Sequence, residues 1–178
     1  AEYPFRQSSD FWYLTGFTEP DAVLVIGPGQ PDRLFVRPKH PEQEVWTGRR
    51  MGPDHVKHRL GIDQGYPLEA LDTELKTLLA EIAWVEYPFG CQKSTAIVDQ
   101  AIKAKGLRSR RSDLLSHRAD LSRHLSQARL IKSRQEIDIM KEACQISAQG
   151  HIAAMQACYP GMTEDQLASV VEHQFRMD

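Results

Sequence analysis

Arg129-Leu130-Ile131-Lys132-Ser133-Arg134-Gln135-Glu136-Ile137-Asp138-Ile139-Met140-Lys141 divides this 178-residue chain in two. Ser133 and Glu136 have the spacing of a capping box. The serine hydroxyl accepts from the glutamate N–H, and the glutamate carboxylate reaches back to the serine N–H. Ile137, Met140, Cys144, Ser147 and Ala148 follow at helical spacing, which predicts a helix from 134 to about 158. Tyr159-Pro160-Gly161 ends it, because proline cannot continue a helix and glycine suits a tight turn. Thr163-Glu164-Asp165-Gln166 is a second capping box, opening a helix through Leu167, Val170, Val171 and Phe175. The roughly fifty residues from Arg129 onward are fewer than an ordinary domain needs. They are expected to open a domain rather than to complete one.

Upstream, strands and helices alternate. Ala22-Val23-Leu24-Val25-Ile26 is a continuous apolar run closed by Gly27-Pro28-Gly29, and Arg33-Leu34-Phe35-Val36-Arg37 follows. The two read as a hairpin whose first strand is the buried one. Phe11-Trp12-Tyr13-Leu14, ended by Thr15-Gly16, reads as a third strand. Leu68, Leu71, Leu75, Leu78, Leu79 and Ile82 mark one face of a helix over 67–83. Trp84-Val85-Glu86-Tyr87 is a short strand stopped by Pro88, and Ser94 opens a helix through Ile97, Ala101 and Ile102 with Gly106 as its C-terminal stop. Leu114 to Leu125 reads as a weaker helix. The expectation is an α/β domain over residues 1–128, then a linker and two helices over 129–178.

Bulk properties exclude several classes. Hydrophobic residues make up 41% and charged residues 26%, ordinary values for a globular domain. No apolar run approaches the roughly 20 residues that span a bilayer, and Ala1-Glu2-Tyr3-Pro4 lacks the basic and apolar parts of a signal peptide. Cys91, Cys144 and Cys158 are sparse and odd in number, which favours a reduced, cytoplasmic setting. Ten Lys/Arg stand against only Asp113 and Asp120 between residues 103 and 134. Acidic segments flank this basic one, and few aromatics are interleaved with it. That pattern favours internal or intersubunit pairing over nucleic acid.

Candidate chemistry is sparse. His55 and His58 could share a side, but no third and fourth ligand is arranged with them, so they read as solvated histidines. Ser8, Asp10 and a histidine show no triad spacing, and a Ser-Ser-Asp turn accounts for the first two. Cys91 reads as an unremarkable thiol. Glu44-Val45-Trp46-Thr47-Gly48-Arg49-Arg50 could offer an aromatic wall and guanidinium donors from a glycine-containing loop. From the residues alone, a half-buried Trp46 covering a sheet edge is the favoured reading.

Three segments together resemble one family. Tyr3-Pro4-Phe5-Arg6-Gln7-Ser8-Ser9-Asp10-Phe11-Trp12-Tyr13-Leu14-Thr15-Gly16-Phe17 is similar to the N-terminal domain of bacterial Xaa-Pro aminopeptidases (aminopeptidase P). Glu44 to Gly52 resembles a second signature of that family. Arg129 to Ile137, with Pro160-Gly161-Met162-Thr163-Glu164, resembles its passage into the catalytic domain. The resemblance implies a creatinase/prolidase-type N-terminal α/β domain, its mixed sheet flanked by helices and its first strand and helix missing. The first helices of an incomplete pita-bread metallopeptidase domain would follow.

The activity implied is release of an N-terminal residue from a peptide substrate with proline in second position. Two Mn²⁺ ions held by two Asp, one His and two Glu would activate a bridging water. Those ligands are expected beyond Asp178, so no catalytic or metal residue is carried over, and the segment alone is expected to be inactive. Two substrate-binding positions are carried over: Trp46, which lines the active-site mouth of a neighbouring subunit in tetrameric members, and Arg108, near the same entrance. A homo-oligomer (dimer or tetramer) follows from this, with no nucleic acid and no membrane partner. The segment would serve in oligomerisation and in shaping the active-site entrance. The alternatives are a prolidase or creatinase-like hydrolase, and a non-catalytic pita-bread binding module.

Overall fold

The computed structural model describes residues 5–82, 84–106 and 117–177. It divides into two compact units, residues 1–125 and 126–178.

In the first unit, α1 (Ser9–Thr15) occupies the place where the aromatic run predicts a strand. Local caps overrule the β-propensity of Phe11, Trp12 and Tyr13. The Ser8 hydroxyl accepts from the Phe11 N–H at 3.2 Å, the cap favoured at helix starts. Gly16, at φ 64°, closes the helix by donating its N–H to the Trp12 carbonyl at 2.7 Å.

Three strands form the first sheet in the order β1 (Val23–Val25), β2 (Arg33–Val36), β3 (Gln64–Pro67). β1 runs antiparallel to β2, with Val23 opposite Phe35, and β3 runs parallel to β2, with Tyr66 also opposite Phe35. The expected hairpin is therefore present, but its buried member is β2, while β1 is half-buried along its length. The central position explains the difference: β2 is covered on both faces, as successive side chains of a strand point to opposite sides. Leu34 and Val36 pack with Phe17, Val56 and Ile62 on one face. Phe35 packs with Leu71, Leu75, Leu79 and Ala101 on the other. β3 lacks any apolar alternation, and sequence periodicity misses it.

α2 (Pro41–Thr47) and α3 (Val56–Leu60) lie between β2 and β3. α4 (Leu71–Glu81) and α5 (Gln92–Gly106) supply the helical layer beneath Phe35. β4 (Trp84–Tyr87) pairs in parallel with β5 (His117–Asp120) in a second, two-stranded sheet. The weak helix expected from Leu114 to Leu125 is thus corrected over its described part. His117–Asp120 is strand, and α6 (Leu121–Ala128) begins after it. Pairing with β4 makes that strand, which its own residues do not encode. Asp120 then turns the chain, its carboxylate accepting from the Ser122 N–H at 3.1 Å.

The second unit holds α7 (Arg134–Ala157) and α8 (Glu164–Met177). Both capping boxes form. Ser133 N–H donates to Glu136 Oε2 at 2.7 Å, and Glu136 N–H to Ser133 Oγ at 3.2 Å. Thr163 and Gln166 repeat the exchange at 3.0 and 3.3 Å. Gly150 is buried where Phe175 of α8 crosses α7. Among the described residues no helix is long and apolar enough to cross a membrane.

Candidate functional site

The site is built from the excursion that carries α2. Pro41 starts the helix at a position where its missing N–H costs nothing. Glu42 and Glu44 in the first turn complement the positive end of the helix dipole. Gly48, at φ 80°, stops it and donates its N–H to the Glu44 carbonyl at 3.0 Å. None of the helix residues is buried.

Trp46 is 89% exposed and its neighbour Val45 79% exposed. This corrects two expectations: Trp46 belongs to a helix rather than a loop, and it does not half-cover a sheet edge. It stands in solvent, an aromatic surface open to contact. Beneath α2 lies a groove of about 250 Å³ between His40, Gln43 and Thr47 on one side and Arg37, Leu68 and Glu69 on the other. Arg37 does not offer a free charge to it, since Asp21 pairs with both Arg37 and Lys93, the latter at 3.0 Å. The hydrogen bond from Lys93 holds the Asp21 carboxyl below the usual carboxylate range. Partial burial opposes the shift, and Arg37 adds to it.

After Gly48 the chain is fixed by two carboxylates that sequence reasoning missed. Glu44 Oε1 accepts from the Arg50 N–H at 3.3 Å, and Glu19 Oε1 accepts from the Met51 N–H at 2.7 Å. Glu19 precedes Pro20 in what reads as an ordinary turn, and its partner lies 32 residues away. No spacing rule finds such a pair.

Arg108, the other candidate carried over by resemblance, lies outside the described residues. His55 and His58 are exposed. Cys91 is half-buried beside α5, where hydrogen bonds from the Ser94 side chain and backbone lower its thiol pKa. Among the described residues no three His, Cys, Asp or Glu side chains converge to hold a metal ion. The described residues therefore do not fit a metal centre. What this region presents is an exposed aromatic side chain on a helix that buries none of its residues.

The described residues thus form an α/β unit with a mixed three-stranded sheet and an exposed tryptophan, followed in sequence by a capped pair of helices. Comparison with known proteins makes the family specific. Residues 1–84 match the aminopeptidase P N-terminal domain and residues 138–178 match metallopeptidase family M24. The two matches follow one another along the chain, the first in the α/β unit and the second in the helical one. It is 34% identical over 181 residues to a Xaa-Pro aminopeptidase of Escherichia coli, covering 98% of this chain and 41% of that protein. A Xaa-Pro aminopeptidase of Haemophilus influenzae is 36% identical over 178 residues, covering 97% and 39%. The solved low-pH form of E. coli aminopeptidase P superposes with a TM-score of 0.89 at 34% identity, covering 99% of this chain and 42% of that one. The chain spans about two-fifths of the length of these relatives.

Proposed function

We propose that this chain is part of a metal-dependent Xaa-Pro aminopeptidase, which hydrolyses the N-terminal residue from peptides with proline in second position. The observation that carries the reading is the 34% identity to a Xaa-Pro aminopeptidase, which extends over 98% of the chain and so includes both units. On this reading residues 1–128 are the N-terminal domain, and residues 129–178 are the linker and first helices of the catalytic domain. Trp46 and Arg108 line the mouth of an active site, Trp46 that of a neighbouring copy in a dimer or tetramer. The exposure of Trp46 supports the assignment: a tryptophan standing free on an unburied helix is suited to contact something outside its own domain. The cofactor is a pair of Mn²⁺ ions held outside the described residues, and the contribution of this chain is substrate binding rather than proton transfer. A cytoplasmic setting is supported by three unpaired cysteines.

The test is made on the full-length protein. Release of the N-terminal residue from a Xaa-Pro-Yaa peptide is expected, lost on chelation and restored by Mn²⁺. Residues 1–178 alone are expected to show no turnover. Cleavage of dipeptides only would mark a prolidase, and binding without cleavage a non-catalytic module. Trp46→Ala is expected to raise KM for long peptides about tenfold, the loss of one aromatic contact, with kcat little changed. Unchanged kcat/KM for both long and short peptides would remove Trp46 from the site.

A further inference from the structure

Between Pro38 and Gly52 the chain leaves the body of the first unit and returns to it. The two ends of this excursion meet where the aliphatic stem of Lys39 lies against Gly52, so that a Cβ on Gly52 would stand 2.9 Å from Lys39 Cγ. Inside it, α2 buries no residue and stands over the groove described above. A surface helix is ordinarily held by packing of an apolar face. That force is missing at α2, and polar contacts take its place.

Those contacts converge on the strap Gly48-Arg49-Arg50-Met51-Gly52. Both end glycines have positive φ, 80° and 69°, so the strap turns at two residues without a Cβ. Glu44 grips it at the Arg50 N–H, but Glu44 sits on α2 and moves with it. Glu19 comes from the loop before β1 and belongs to the body. Its Oε1 accepts from the Met51 N–H at 2.7 Å. Its Oε2 is buried without a hydrogen bond and faces Arg50 Nη1 at 3.9 Å, an ion pair beyond hydrogen-bond range. The two side chains are only 18% and 14% exposed, so solvent screens the pair weakly. The Glu19 carbonyl in turn accepts from Gln7 Nε2 at 2.9 Å.

We infer that Glu19 is the positioning residue of α2: its half-buried carboxylate pins the strap to the body and so fixes where Trp46 stands. The kinetic consequence rests on the reading of Trp46 as an entrance residue, while the pin itself does not. Deleting the carboxylate leaves the Met51 N–H without its acceptor and Arg50 without its counter-charge.

The experiment is hydrogen exchange on the full-length protein carrying Glu19→Ala or Glu19→Gln, with peptide kinetics alongside. Exchange across Glu44–Met51 is expected to quicken about tenfold in Glu19→Ala, the cost of one charge-assisted hydrogen bond, with β2 unchanged. Glu19→Gln keeps an acceptor for Met51 and is expected to recover most of that protection. KM for long peptides should rise in the same order, Ala above Gln, at constant kcat. Unchanged exchange across Glu44–Met51 overturns the pin, as does loss of β2 protection to the same extent. Faster exchange with unchanged KM upholds the pin and overturns the placement of Trp46, so the two failures are distinct. If Glu19→Ala does not fold, Glu19→Met, which keeps the length of the side chain without an oxygen acceptor, carries the test: faster exchange confined to Arg50 and Met51 supports the pin, and none overturns it.

Discussion

The two units of this chain are held by different forces. All twelve apolar residues buried among the described ones lie at or before Ala101, in the first unit. Among its described residues the second unit buries Gly150 alone, while Ile139, Met140, Ile152 and Met155 on α7 are exposed. Yet the second unit has the better-marked helices, with both capping boxes formed. Local hydrogen bonds settle where a helix begins, and burial settles how stably it stays folded.

Phe35→Ala attacks the contrast at its strongest point. Phe35 is fully buried and stacks on Tyr66 with ring centroids 5.2 Å apart. Truncation is expected to cost about 4 kcal/mol. In a denaturant titration followed by hydrogen exchange, β2 and β3 should lose protection while the start of α7 keeps its own. Equal loss in both units would show one cooperative fold and break the comparison.

One substitution made in both units sharpens it further. A Cβ on Gly65 of β3 would lie 2.1 Å from the Pro53 carbonyl oxygen, a backbone atom that cannot move alone. Gly65→Ala is expected to destabilise by about 3 kcal/mol. A Cβ on Gly150 would lie 2.7 Å from Phe175 Cε1, the far end of a half-exposed side chain that can swing aside. Helix propensity also gains from alanine there, so Gly150→Ala should fall within about 1 kcal/mol of neutral. Thermal melts of the two variants decide the matter, and comparable losses would mean that α7 and α8 pack as rigidly as the sheet.

The same division governed what the sequence could reveal. The starts of α7 and α8 were legible because Ser133–Glu136 and Thr163–Gln166 act within three residues of themselves. β1 and β2 were legible as a hairpin from their apolar residues, but which of the two is buried was not, since that depends on β3 pairing with β2. β3 and β5 were not, since Gln64-Gly65-Tyr66-Pro67 and His117-Arg118-Ala119-Asp120 become strands only through their partners. At the site, Trp46 was visible as a residue but not as an exposed one. Its support was invisible because Glu19 reaches Met51 across 32 positions.

Ser133→Ala probes the weaker unit. It removes one of the two capping hydrogen bonds in an exposed setting, for an expected cost of about 1 kcal/mol. Far-UV circular dichroism should lose signal from the first turns of α7, with exchange at β2 unaltered.

The smallest effect separates the two halves of that cap by pH. Glu136 has its pKa lowered, first by the hydrogen bond from the backbone N–H of Ser133 and then by the Ser133 side chain, with Lys132 and Arg129 adding charge. A carboxyl lowered in the folded state contributes stability that is fully present above its ordinary pKa, about 4.3. That contribution is lost as pH falls through the depressed value. The Ser133 amide proton should therefore titrate by NMR below the ordinary glutamate range and stay flat from pH 5 to 7. Glu136→Gln should abolish the titration. Ser133→Ala should retain it, because alanine keeps the backbone N–H that is the first cause of the shift. A flat Ser133→Ala profile would place the hydroxyl first instead. Since the partners of Glu136 all lie at the start of α7, the response stays local to it, and the core around Phe35, held by burial, has no reason to follow it.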